Sequence, residues 1–280
     1  MIEIVGHKRQ KELLSIMMET GTIPHAVLFE GSSKLGKRSL ALGFVQQLFC
    51  KDNCGGCWSC LNVIKGTHPD LKVISSSREI QIEQIRGLIS DFSLKPYMAP
   101  FKVAIIDDAH LMNVESQNSI LKLLEEPRGD TLIILITEYP EMLLETVRSR
   151  VERVSFSPVD DREIKLFLEK KGCKEIDKIV SFSFGKPGIA IDFMNNPSMI
   201  SERVERVKEL LTITSTKSPF RERFNYAKEL ADNSPDETLK IWLDYFRAIM
   251  IKKAKEEIKT NIPFSQIKKS LDLIEESIYL

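Results

Sequence analysis

The apolar run Val27-Leu28-Phe29-Glu30 leads directly into Gly31-Ser32-Ser33-Lys34-Leu35-Gly36-Lys37, and helical spacing follows over residues 39–49. A G-x-x-x-x-G-K segment between a strand and a helix constrains the fold more than anything else in the chain. Its backbone N–H groups, at a helix N-terminus, form a cradle for phosphate, and its lysine reaches the terminal phosphates. Residues 71–74, 102–106 and 131–137 read as further apolar strands. Residues 80–94 and 114–124 read as helices, the second stopping before Pro127. Apolar strands separated by helices predict a parallel sheet covered on both faces.

The loop lacks what it needs to hold a metal nucleotide. The residue after Lys37 should be Ser or Thr, whose hydroxyl binds magnesium; here it is Arg38. A guanidinium has no acceptor, so it cannot ligate a metal and repels one. The strand over 102–106 ends at Asp107, where an aspartate that assists the metal belongs, but the next residue is Asp108 rather than glutamate. Its carboxylate is one methylene short, and catalysis is sensitive to misplacement of ~1 Å. Gly31, Gly36, Lys37, Asp107 and Asp108 therefore read as a degenerate nucleotide site. A plain surface turn of two aspartates is the alternative for the last pair. Lys34 and Arg38 could also mimic a cation in an empty site.

Of five cysteines, Cys50, Cys54, Cys57 and Cys60 fall close together and Cys173 stands alone. A tight thiol cluster in a reducing compartment reads as a metal site before a disulfide framework. Four thiolates suit a closed, structural zinc site, with Gly55 and Gly56 allowing the turns between ligands. His68 is a candidate to replace Cys50 as fourth ligand. A thiol redox motif is the competing reading.

The pattern changes near Pro158. Residues 160–198 suggest short helices broken by Gly185, Pro187 and Gly188. From residue 201 onward only helical periodicity appears, including an apolar stripe through Leu239, Trp242, Leu243, Phe246, Ile249 and Met250. Three parts are expected: an α/β domain over 1–157 with an inserted zinc module over 50–68, a small helical lid over 158–198, and an all-α domain over 199–280. Forty basic residues balance forty acidic ones, which argues against coating nucleic acid through bulk charge. No leader pattern opens the chain, and no stretch approaches the ~20 apolar residues of a membrane span, so a cytoplasmic protein is expected. His25 and His110 read as packing residues, and Trp242 and Tyr245 as helical core.

Several stretches resemble the bacterial clamp-loader subunits of DNA polymerase III. They are Pro24-His25-Ala26-Val27-Leu28-Phe29-Glu30-Gly31, Gly66-Thr67-His68-Pro69-Asp70, and above all Asn118-Ser119-Ile120-Leu121-Lys122-Leu123-Leu124-Glu125-Glu126-Pro127. Leu143-Leu144-Glu145-Thr146-Val147-Arg148-Ser149-Arg150 is similar to that family's L-L-x-T-I-x-S-R-C segment, with Val151 in place of its cysteine. Gly185-Lys186-Pro187-Gly188-Ile189-Ala190 is a thinner match. The cysteine spacing also departs from the family, whose first cysteine lies farther upstream.

The resemblance implies a P-loop AAA+ domain, a lid, and a helical collar that joins subunits into a ring. It implies gamma/tau and delta type subunits as partners, with the sliding clamp and primed DNA engaged through the whole assembly. The degraded loop makes the chain similar to the delta-prime type. In that type Ser149 and Arg150 would offer an arginine finger to ATP held by a neighbouring subunit. The plain alternative is a local salt bridge at a strand end. An ATP-hydrolysing motor of the gamma/tau type and a thiol oxidoreductase are the rival functions.

Overall fold

Alternation along the strands builds the first layers of the structure. The computed structural model describes residues 3–50, 52, 54–127, 129–214, 219–232, 235–258, 260 and 262–278; Met1-Ile2 of the N-terminal reading lie outside them. Contacts divide the chain into two compact units, residues 1–163 with Lys186–Gly188, and Ile164–Gly185 with residues 189–280.

In the first unit the order along the chain is α1 (Lys8–Thr20), β1 (Ala26–Glu30), α2 (Lys37–Phe49), α3 (Trp58–Lys65), β2 (Leu71–Ile74), α4 (Ile82–Phe92), β3 (Lys102–Ile106), α5 (Val114–Glu125), β4 (Thr131–Thr137), α6 (Glu145–Arg148) and β5 (Glu152–Ser155). The strands form one sheet in the order β2-β3-β4-β1-β5, every neighbour parallel. Side chains of successive strand residues point to opposite faces. Val27 and Phe29 of β1 thus join Ile105 and Ile134 against Leu40, Phe44 and Val45 of α2. Ala26 and Leu28 join Ile106 and Leu135 against Leu88 of α4 and Ile120 and Leu124 of α5. Two covered faces explain why these strands are apolar at nearly every position.

The two flanking strands are less regular. Only Val154 of β5 is buried, since β5 is an edge strand, and its sequence carries no apolar run to announce it. Residues 80–94 are helical only from Ile82 to Phe92. Ile80 is drawn out of the helix by a bridge to Met112, its N–H bonding the Leu111 carbonyl at 2.8 Å.

The second unit is helical, taking in all but the first residues of α7 (Asp161–Lys170) and α9 (Pro187–Asn195), together with α8 (Ile176–Ser183), α10 (Ser198–Ile213), α11 (Phe220–Asp232), α12 (Pro235–Ala254) and α13 (Phe264–Ile278). Its bounds take in helices expected for both lid and C-terminal domain. The predicted stripe on α12 packs as expected: Leu243, with Phe246, Ile249 and Met250 beside it, meets Ile267 and Leu271 of α13. Trp242 is half-buried, its Nε1 donating to the Arg206 carbonyl at 3.1 Å.

A buried ion pair links two of these helices. Arg203 of α10 donates to Asp244 of α12 at 2.9 Å, with the Phe184 ring 4.9 Å from the guanidinium. Removing one partner of such a pair strands a charge in a medium that solvates it poorly. Asp244→Ala is therefore expected to destabilise the chain by about 3–5 kcal/mol. Thermal denaturation followed by circular dichroism would register this as a lowered Tm; an unchanged Tm would show that Arg203 finds other solvation.

Candidate functional site

Parallel strands end on the same side, so β3, β4 and β1 bring Asp107, Glu138 and Gly31 to one edge of the sheet. The Gly31 N–H bonds the Thr137 carbonyl at 3.2 Å. Gly31 has φ 139°, and a Cβ there would collide with the Phe156 carbonyl oxygen, so only glycine fits. The loop then turns through Lys34 (φ 62°) and Gly36 (φ 95°) into α2. The helix starts at Lys37 rather than at residue 39, so the loop lysine belongs to its first turn.

Both cations of the site are engaged within the chain. Lys37 is buried, and its Nζ donates to the carbonyl oxygens of Gly31 and Ser32. Burial pulls its ammonium down to about 8, against the opposing influence of Glu138, Asp107 and Asp108. Arg38 reaches across to β3, with Nη1 3.1 Å from Asp107 Oδ2. Asp108 sits in the left-handed region, φ 52°, and burial beside Asp107 raises its carboxyl.

Two residues not singled out as site residues hold the loop. His7 Nε2 lies 2.8 Å from the Leu35 carbonyl, and burial lowers the imidazole. The Gly188 N–H donates to the Lys34 carbonyl at 2.8 Å, and a Cβ at Gly188 would come equally close to that oxygen. The turn residues Gly185-Lys186-Pro187-Gly188 were visible in sequence, but their destination was not. His110 Nδ1 lies 3.1 Å from Thr137 Oγ1 beside the Tyr139 ring, and burial lowers it. That is the environment of a packing residue.

Arg150 lies at the other edge of the sheet. It lies two residues before β5, which pairs with β1 from Val27↔Glu152 to Glu30↔Ser155. Arg150 thus stands near the beginning of β1, whereas the phosphate loop follows its end. At ~3.3 Å per strand residue the two are separated by more than about 13 Å along the strand direction. Its guanidinium bonds Glu125 Oε1 at 2.7 Å, the Thr146 carbonyl at 2.8 Å and Ser149 Oγ at 3.3 Å. The strand-end salt bridge foreseen as the plain alternative is present, and the side chain remains partly exposed.

The four cysteines converge. Cys50 ends α2, Cys57 caps α3 and Cys60 lies buried within it. Their sulfurs and that of Cys54 all lie within 4.8 Å of one another. Sulfurs tetrahedral about a metal at ~2.3 Å stand ~3.8 Å apart, so the set fits a four-thiolate centre after small adjustment. Backbone N–H groups, those of Gly56 and Cys57, stabilise the Cys54 thiolate and bring its pKa down to about 6. Burial pushes the Cys60 thiol up to about 11. His68 is not in the cluster. Its Nδ1 accepts the Asp70 N–H at 3.1 Å, and its ring lies against Phe49 and Trp58.

With this geometry in view, the family profile described as DNA polymerase III, delta subunit, matches residues 6–160. The chain belongs to that family. It is 31% identical over 206 residues to DNA polymerase III subunit delta' of Bacillus subtilis, covering 71% of this chain and 63% of that protein. It is equally identical over 216 residues to the delta' subunit of Pseudomonas aeruginosa, covering 72% and 66%. The matches thus span slightly less than two thirds of these relatives' own lengths. The tau subunit of Escherichia coli K12 is 31% identical over 172 residues, covering 60% of this chain and 27% of that one.

Among solved structures, a gamma subunit-related protein of Thermotoga maritima aligns with a TM-score of 0.51 at 19% identity, covering 96% of this chain and 91% of its own. A RuvB variant from the same organism aligns with a TM-score of 0.51 at 19% identity, covering 75% and 64%. These likenesses support the fold: an AAA+ type parallel sheet flanked by helices, followed by a helical region. No helix among the described residues is long and apolar enough to cross a membrane.

Proposed function

We propose that this chain is a non-motor subunit of the replicative sliding-clamp loader, of the delta-prime type. It would complete a subunit ring in the cytoplasm and supply Arg150 to ATP bound by a neighbouring motor subunit. The observation that carries the reading is the position of Arg150. A cation that stabilises a transferring phosphoryl group must sit at that group, and Arg150 stands a strand's length from its own chain's loop. Any nucleotide it serves would therefore be one held by another subunit.

The assembly implied includes gamma/tau and delta type subunits, with the clamp and primed DNA engaged through the complex. Residues 158–198 would act as lid and 199–280 as collar. Cys50, Cys54, Cys57 and Cys60 would hold a structural zinc, which when bound draws the segment between α2 and α3 into one rigid module; with every thiolate used, no position is open for catalysis. Cys50 rather than His68 would complete the set, a choice supported by its sulfur being in the cluster.

Reconstitution tests this reading. The chain alone is expected to show no ATP turnover. Added to gamma/tau and delta type subunits with clamp and primed DNA, it is expected to enter the complex and raise the rate of hydrolysis. Steady turnover by the chain alone would establish the motor reading instead.

A further inference from the structure

Lys37, Asp107 and the glycines of the phosphate loop are all in place, yet the loop's polar groups are already engaged with one another. Four of its carbonyl oxygens carry bonds: Gly31 and Ser32 from Lys37, Lys34 from Gly188, and Leu35 at the His7 ring. These bonds brace the loop from within the chain.

Of its two departures from a working site, Arg38 and Asp108, the one that bears on holding the metal is Arg38. A magnesium nucleotide needs oxygen ligands near the loop lysine, one from the residue after it and help from the aspartate ending β3. The first is Arg38, with no acceptor atom. The second, Asp107, is held by Arg38 at 3.1 Å. The Arg38 guanidinium is also a fixed positive charge where a divalent cation would have to arrive, and like charges at close range repel.

We propose that Arg38 is the specificity-determining residue of this loop: by holding Asp107 it stands in the cation's place, excludes magnesium-bound nucleotide, and is the single residue whose replacement reopens the site. The proposal rests on the reading of the chain as a non-motor subunit and gives that reading its local cause. It also makes the loss of nucleotide binding reversible. Arg38→Thr would restore the missing hydroxyl and free the Asp107 carboxylate together. The Arg38 side chain is 51% exposed, and ion pairs of that exposure contribute little to folding, so the variant is expected to fold.

The test is calorimetric titration of the purified full chain and of Arg38→Thr, each with magnesium-ATP and with ATP in excess EDTA. Arg38→Thr is expected to bind magnesium-ATP at least about tenfold more tightly than the parent chain, and to lose most of that gain in EDTA. Arg38→Ser serves as a second variant with the same hydroxyl, and melting curves without ligand establish that both fold. Parent and variants binding magnesium-ATP equally well would show that Arg38 excludes nothing. Folded variants that both stay silent would place the block elsewhere in the loop. Neither result touches the non-motor reading, which fails only if the parent chain itself turns over ATP.

Discussion

Replacing Arg150 by alanine is expected to slow ATP hydrolysis by the assembled complex by about tenfold or more, while the chain's own fold is unchanged. The effect is large because a fixed cation at the transferring phosphoryl group acts where charge develops, in a site that excludes water. The loss should fall on kcat, with little change in KM, because the contact strengthens in the transition state. Arg150→Lys should recover only part of the rate: a lysine keeps the charge but not the planar fork that can grip two oxygens at once. In the free chain Arg150 is held by Glu125 and the Thr146 carbonyl. Docking must exchange those partners for phosphate, and since the pair is partly exposed the exchange costs little. Glu125→Gln should therefore leave the assembled rate within a few-fold of the parent. Steady-state assays of complexes containing each variant decide the matter; an unchanged rate with Arg150→Ala would leave Arg150 as a surface salt bridge and nothing more.

How far the sequence revealed this arrangement differs from residue to residue, for physical reasons. The strands β1, β3 and β4 were legible because burial on both faces forces apolar residues at successive positions. β5 was not, since an edge strand with one buried residue has no such demand. α1 was overlooked, although it buries Leu14 and Met17 at helical spacing. The phosphate loop was legible as a local motif, as was the chemical unfitness of Arg38 for a metal. Its partner Asp107 lies 69 residues away, and their pairing depends on β1 and β3 lying on either side of β4. The bonds of His7 and Gly188 to the loop were hidden for the same reason: nothing in a single sequence reports contacts made across a fold. In the thiol cluster, spacing named the ligand candidates, but that the Cys50 sulfur lies with the other three depends on the turn at the end of α2.

Removing the metal from the thiol cluster is expected to have the largest effect on stability. Helix α3 spans only eight residues, is capped by Cys57, and buries little beyond Cys60 and Val63. A helix that short does not hold its form by propensity in water. Structural zinc in small modules contributes on the order of 10–16 kcal/mol to the ordering of its own segment, so chelation should unwind α3 and expose Cys60. Each purified chain is expected to carry one zinc, to lose it to a strong chelator together with a drop in Tm, and to regain both on adding zinc. Cys60→Ser should reproduce the loss, because its sulfur is one of the four in the cluster and is fully buried. Acid should act in the same direction. Metal binding requires thiolates and releases their protons to solvent, and burial pushes the Cys60 thiol up to about 11, so falling pH favours release of the metal. Cys54, lowered to about 6, resists that competition until the pH approaches its own value. Metal analysis with thiol titration settles the point: absence of zinc, with all four thiols freely reactive and a Tm indifferent to chelator, would return the cluster to the redox reading.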